Sequence, residues 1–146
     1  MNKLLLDTNI YIDFLRRGAY SETISNIYAY ETPGIYFSSV VIQELLIGAL
    51  GKEGRKTVET LYQPFESMGR IVTPTHNNWK EAGNLLSLLR KRHKNLKTKI
   101  PALINDTLIA LSAKSIGATV YTSNVVDFQT IREFSTFSLV VLENEA

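Results

Sequence analysis

Three acidic side chains stand where the surrounding sequence is apolar. Asp7 follows the uninterrupted run Leu4-Leu5-Leu6, Glu44 lies in SSVVIQELLIGAL, and Asp106 lies in PALINDTLIALSA. At helical spacing Glu44 has Val40 and Val41 on one side and Ile47 and Gly48 on the other, while Asp106 has Ala102, Leu103, Ile109 and Ala110. Carboxylates are ordinarily solvated, and an unpaired buried one is costly even after relaxation. No Arg or Lys stands close to these three in sequence to compensate them. If they converge, each pair at about 4 Å repels by roughly 4 kcal/mol in an effective dielectric of about 20. Such a cluster needs protons or a cation. Carboxylate oxygens suit a hard divalent ion, Mg²⁺ or Mn²⁺, which keeps water ligands and bridges to phosphate oxygens.

The same spacing test separates these acids from an ordinary one. Asp13 has Asn9, Ile10, Arg16 and Arg17 as its neighbours and reads as an exposed ion pair. A simpler reading exists for Asp106, because Asn105 or Asp106 in the first turn of a helix would be a cap favoured by the dipole. Capping accounts for one acid and not for three. A fourth group comes from YTSNVVDF: Thr122, Ser123 and Asn124 offer neutral oxygens at a strand end, and Asp127 a carboxylate one turn later. The alternative there is a short helix capped by Ser123 or Asn124.

The elements that must position these groups alternate between short apolar runs and longer stretches of helical spacing, the pattern of a parallel sheet covered by helices. Strands are expected at Lys3–Leu6, Ile35–Ser38, Arg70–Val72, Thr119–Thr122 and Ser138–Leu142. Helices are expected at Asn9–Arg17, Ser21–Tyr30, Val40–Leu50, Glu53–Met68, Asn77–His93 and from Pro101 or Ala102 to Ser115. Pro33-Gly34, Gly69, Pro74 and Gly117 mark the joints. A sheet of this kind places its ligand at the carboxyl ends of its strands, where Asp7 stands.

With 146 residues the chain has the size of one domain, expected to span 1–146. Its 45% hydrophobic and 21% charged content is globular and excludes a disordered or fibrous class. The absence of Cys removes disulfides, thiolate sites and cysteine nucleophiles, and two His, His76 and His93, are too few for a usual zinc site. The Leu run meets Asp7 and Asp13, so it is no secretory signal, and no apolar stretch reaches membrane length. The expectation is a soluble cytoplasmic protein. The net charge of +2 says little about partners, but RKRHKNLKTK gathers six of sixteen basic residues in ten positions: Arg90, Lys91, Arg92, Lys94, Lys97 and Lys99. The run either holds a phosphate backbone without reading sequence or is a solvated helix end with cations at its C-terminus. Tyr11, Phe14, Tyr28 and Tyr30 at helical spacing read as core in preference to base-stacking platforms.

Taken together, LLLDTNI, VIQELLIGA, INDTLIALSA and YTSNVVDF resemble the motifs of the PIN-domain nucleases, particularly the VapC-type toxins of toxin–antitoxin pairs, in order and spacing over essentially the whole chain. The resemblance implies a three-layer α/β/α fold with a five-stranded parallel sheet, a magnesium-dependent endoribonuclease site, RNA as substrate, homodimerisation, and inhibition by a small antitoxin protein. Asp7, Glu44 and Asp106 carry over as the acidic metal-binding triad, and the fourth acid is Asp127 or its place is held by Asn124. On this reading Asp7 and Asp106 ligate the ion, Glu44 ligates a second ion or orients a metal-bound water, and Thr8, Asn9, Thr122 and Asn124 hold the acids in register. Tyr28 and Tyr30 with Ile24 and Ile27 offer part of a dimer or antitoxin groove as an alternative to core. The haloacid-dehalogenase-like phosphatases begin similarly, but they need a second Asp where this chain has Asn9. A receiver domain would want paired acids where Thr8 follows Asp7. From another class, the rival is a PIN-like RNA-binding or scaffold subunit without catalysis.

Overall fold

The computed structural model describes residues 2–31 and 34–143. Five strands, β1 (Lys3–Leu6), β2 (Ile35–Ser38), β3 (Ile71–Val72), β4 (Ala118–Thr122) and β5 (Leu139–Val141), form one sheet in the order β3-β2-β1-β4-β5. Every pairing is parallel, with Leu5 opposite Tyr36 on one side and Val120 on the other. The helices among the described residues are α1 (Thr8–Arg17), α2 (Ser21–Glu31), α3 (Ser39–Ile47), α4 (Gly51–Ser67), α5 (His76–Arg92), α6 (Ile100–Ser115) and α7 (Val125–Ile131), with a 3-10 turn at Lys94–Leu96.

Parallel strands joined through helices cross over with a right hand. From β1 the chain steps outward to β2 and β3, then returns past β1 to β4 and β5, so α1–α4 cover one face and α5–α7 the other. The packing follows this division: α1 lies on α3 and α3 on α4, while α5 lies on α6 and α6 on α7. The change of direction falls between β1 and β4, and the crevice beyond their carboxyl ends is where an open α/β sheet receives its ligand. There α3 also meets α6, which draws Glu44 toward Asp106.

The central strand is as apolar as its sequence implies, with Leu4, Leu5 and Leu6 all buried. Tyr11 stacks on Phe37 with ring centroids 4.7 Å apart, and Tyr28 meets Phe65 edge-on at 6.0 Å, so these tyrosines belong to the core and its margin. Phe14 packs there too, and Ile24 and Ile27 are buried in the same core; Phe14, Ile24 and Tyr28 also line a pocket of about 250 Å³ with Tyr11, Ser25 and Leu61. The Tyr30 side chain and Pro33 lie outside the described residues. Gly34 is required by a close approach: a Cβ there would lie 1.9 Å from the Asn2 carbonyl oxygen.

Most boundaries lie within a residue or two of those expected of the sequence, and three of the differences bear on the site. The α1 helix starts one residue early, at Thr8, because the Asp7 carboxylate accepts from the Thr8 amide and caps it. At the other end of the apolar run, α3 stops at Ile47 where Leu50 was expected: Gly51 takes φ of +65° and turns the chain into α4, leaving Ile47 and Leu50 77% and 87% exposed. Finally α6 begins at Ile100 with Pro101 in its first turn, a place where proline's missing N–H is no loss. Asp106 therefore sits well inside the helix, and the capping explanation for it falls.

Candidate functional site

The site begins with two strand ends. Asp7 leaves β1 with its amide donating to the Tyr121 carbonyl of β4 at 2.8 Å, so the two strands deliver Asp7 and Thr122 side by side. Asp7 is 2% exposed. Its Oδ1 accepts from the Thr8 amide and its Oδ2 from the Thr122 hydroxyl, both at 2.8 Å. Thr122 is fully buried, and its hydroxyl oxygen also accepts from the Asn124 amide at 2.9 Å, tying the turn after β4 to the Asp7 carboxylate.

Glu44 comes from the middle of α3, whose start is held by Ser38: the Ser38 hydroxyl accepts from the Val40 amide at 3.1 Å and the Val41 amide at 3.4 Å. The Thr8 hydroxyl, on the first turn of α1, donates to Glu44 Oε1 at 2.7 Å. Glu44 is only half-buried, so its apolar neighbours in sequence overstated its removal from water. Asp106 lies two turns into α6, and α7 supplies the remaining contacts. The Asn124 side-chain amide donates to Asp127 Oδ2 at 3.0 Å and, more loosely, to Asp106 Oδ2 at 3.4 Å. Its carbonyl oxygen accepts from the Asp127 amide, so the short capped helix read as an alternative in YTSNVVDF is present, with Asn124 as the cap.

Four acids thus share one field. The Asp7 carboxyl is raised to about 6, with burial the largest cause; hydrogen bonds from Thr122 and Thr8 work against the rise, and the charges of Glu44 and Asp127 add to it. For Asp106 burial is again the largest cause, followed by the charges of Asp7, Glu44 and Asp127, and the carboxyl rises to about 8. Lys99 acts in the opposite direction on Asp106, and its ammonium lies 2.5 Å from Asp127 Oδ1. The sequence placed no cation beside the acids. Lys99 escaped that reading because it stands seven residues before Asp106, two helical turns away on the same side of α6, where neighbours at three and four residues do not reach.

Asn9 stands beside Thr8 without sharing its contact to Glu44. It is exposed on the first turn of α1, and among the described residues no hydrogen bond ties its side chain to the acids. Asp13 pairs with Arg17 at 3.6 Å one turn away, the ion pair expected of it. The basic run divides. Arg90, Lys91, Lys94 and Lys97 are exposed at the end of α5 and beyond, and Arg92 lies 3.8 Å from Glu133, which also takes His93 Nε2 at 2.8 Å. Only Lys99 of the six pairs with an acid of the site among the described residues.

Among the described residues no three His, Cys, Asp or Glu side chains close into a ready coordination shell. The donor set nevertheless fits a hard divalent cation in kind. It consists of carboxylate oxygens flanked by hydroxyls, and both Asp7 and Asp106 are held above their usual range by burial and by neighbouring negative charge, a state that a cation relieves. No described helix is long and apolar enough to cross a membrane.

No curated protein matches the chain. Among solved structures it is similar to DNA-bound VapBC from Salmonella typhimurium, with a TM-score of 0.70 and 22% identity over 97% of this chain and 98% of that one. It is also similar to VapBC-1 from nontypeable Haemophilus influenzae, at 0.68 and 23% over 94% and 96%, and to FitAcB from Neisseria gonorrhoeae, at 0.62 and 21% over 93% and 95%. The PIN domain model matches residues 4–132, a span that holds Asp7, Glu44, Asp106 and Asp127 with every helix between them, and the chain belongs to the PIN domain family.

Proposed function

We propose that this chain is a metal-dependent endoribonuclease, a single domain acting as the toxin of a cytoplasmic toxin–antitoxin pair. The observation that carries the reading is the gathering of Asp7, Glu44, Asp106 and Asp127 at the switch point of a PIN-family sheet, where two of them are held above the ordinary carboxylate range. An idle cluster would keep that repulsion for no return, which argues against a scaffold without catalysis.

Asp7, Glu44 and Asp106 would hold Mg²⁺, with Mn²⁺ an acceptable substitute. Bound there, the ion supplies a water of lowered pKa and neutralises charge developing on the phosphate. The chain's own residues do the positioning. Thr122 and the Thr8 amide fix the two oxygens of Asp7, and the Thr8 hydroxyl fixes one oxygen of Glu44. Asn124 spans Asp106 and Asp127. Donors of this kind keep carboxylates from turning away from a shared ligand. The exposed cations Arg90, Lys91, Lys94 and Lys97 lead along the chain toward α6 and would hold an RNA backbone without reading its sequence.

The antitoxin and a second copy of the chain are the proposed partners. Beside Glu44 an apolar groove of about 350 Å³ runs between α1, α3 and α4, lined by Ile12, Leu15, Leu45 and Leu50, and the exposed Ile47 adds to this surface. A contiguous apolar surface at the mouth of the site suits a protein that silences it. The VapBC and FitAcB likeness supports that association.

The experiment is to incubate the purified chain with RNA in Mg²⁺, in chelator, and in chelator followed by excess Mg²⁺. A nuclease cuts only in the first and third, and Asp106→Asn cuts in none. RNA binding that is indifferent to metal, without cleavage, would establish the scaffold reading instead. Expression of wild type beside Asp106→Asn, followed by sequencing of RNA ends, then identifies the RNA.

A further inference from the structure

Resting on the nuclease reading, we propose that Lys99 contacts a substrate phosphate at the acidic site, and that Asp127 is its positioning residue and not a metal ligand. The four acids differ in what already compensates them. Asp7 and Glu44 are held by neutral donors, Thr8 and Thr122, which orient a carboxylate and leave its charge available to a cation. Asp127 is held by a cation, the Lys99 ammonium at 2.5 Å from Oδ1, while Oδ2 takes the Asn124 amide at 3.0 Å. Its charge is matched within the chain, so a metal ion gains least from it.

The same pair places a positive charge where a polyanion needs one. RNA approaching uncompensated carboxylates is repelled, and a divalent ion offsets only part of that field. Lys99 sits at the start of α6, two turns before Asp106, and acts electrostatically on the Asp106 carboxyl. An ammonium has three donors. One faces Asp127, and the side chain is 42% exposed, so the others stay open to a phosphate oxygen. The rest of the basic run lacks this placement: its members are exposed at the end of α5 and in the turn that follows, or in the case of Arg92 near Glu133.

The test uses the full chain and two measurements that do not depend on turnover. In metal-free buffer, fluorescence anisotropy with a labelled single-stranded RNA should show Lys99→Ala binding about tenfold more weakly, with the salt slope lowered by about one, and Lys99→Arg within about threefold of wild type. Equal affinities for wild type and Lys99→Ala overturn the phosphate contact. In calorimetric titration with Mg²⁺ alone, Asp127→Asn should stay within about threefold of wild type, whereas Asp7→Asn should lose about tenfold or more. A comparable loss in Asp127→Asn makes Asp127 a ligand and overturns the positioning role. In cleavage assays kcat should fall for Lys99→Ala and for Asp127→Asn, with the double variant no worse than the lower single; multiplied losses would mean independent roles and overturn the pairing. A wild type that never cuts RNA removes the nuclease reading, and the binding comparison still decides whether Lys99 meets phosphate.

Discussion

The Thr122 hydroxyl donates to Asp7 Oδ2 at 2.8 Å across 115 residues of chain, and it is the contact through which β4 orients the acid delivered by β1. The same oxygen accepts from the Asn124 amide, so one buried hydroxyl links Asp7 to the turn that carries Asn124 and, through it, to Asp106 and Asp127.

Thr122→Val tests this link with little change of volume. The substitution leaves the Asn124 amide and one Asp7 oxygen without a buried partner, a cost of about 1–3 kcal/mol. Denaturant unfolding should show that loss, and cleavage should fall by about tenfold because Asp7 is free to turn. Thr122→Ser keeps the hydroxyl and should recover most of the activity. If Thr122→Val cleaves as fast as wild type, the orientation of Asp7 does not depend on this contact.

Asp106→Asn should separate activity from stability. The carboxyl is pushed up to about 8 by burial and by the charges of Asp7, Glu44 and Asp127, so its ionised form is disfavoured in the fold. A neutral amide of the same shape removes that penalty. A pKa raised by one corresponds to about 1.4 kcal/mol between the two protonation states, and the penalty grows from the unfolded value of 3.8 up to about 8, so metal-free Asp106→Asn should melt further above wild type at pH 9 than at pH 5, while cleavage is abolished. A variant less stable than wild type at pH 9 would show that the acid's hydrogen bond to Asn124 outweighs its repulsion.

Much of this site is legible in the chain because its chemistry contradicts its surroundings. Leu4, Leu5 and Leu6 announce a buried strand, and an acid directly after it must sit at the sheet's edge; the apolar neighbours of Asp106 likewise mark a carboxylate leaving water. Glu44 shows where such inference stops, since apolar neighbours along α3 say nothing of the space across it, where the Glu44 carboxylate is only half-buried. Lys99 shows another such point. Its partner Asp127 is 28 residues further on, on a different helix, and charge compensation of that kind exists only after folding. Boundaries slipped for local reasons: the Asp7 cap started α1 early, and the turn at Gly51 ended an apolar run that periodicity alone would continue to Leu50.

The exposed part of the basic run makes a separate prediction. Arg90, Lys91 and Lys94 crowd the carboxyl end of α5, where cations also favour the helix dipole by about 0.3–1 kcal/mol each. If they hold RNA, replacing all three with Gln should weaken RNA binding uniformly across sequences and flatten its salt dependence by about three in slope, with the melting temperature little changed. Unaltered binding with a lowered melting temperature would assign the run to the helix alone.

Metal binding and pH should be coupled through the same buried acids. In the unfolded chain Asp7 and Asp106 titrate near 3.8, whereas in the fold burial and the repulsion of neighbouring acids raise them to about 6 and about 8. A raised folded value means that the native state binds protons more tightly than the unfolded one, so stability falls as pH rises. The favourable contribution is complete below about 3.8, declines as Asp7 ionises toward 6, and is gone once Asp106 has ionised above about 8. A divalent cation competes with those protons and replaces their effect, so its stabilisation should be small at pH 5, where Asp106 remains protonated, and large at pH 8.5. Melting curves with Mg²⁺ or chelator at the two pH values measure this directly. The difference should shrink in Asp106→Asn and persist when only the exposed lysines of the basic run are replaced. A Mg²⁺ shift that is equal at both pH values would place the ion away from Asp7 and Asp106.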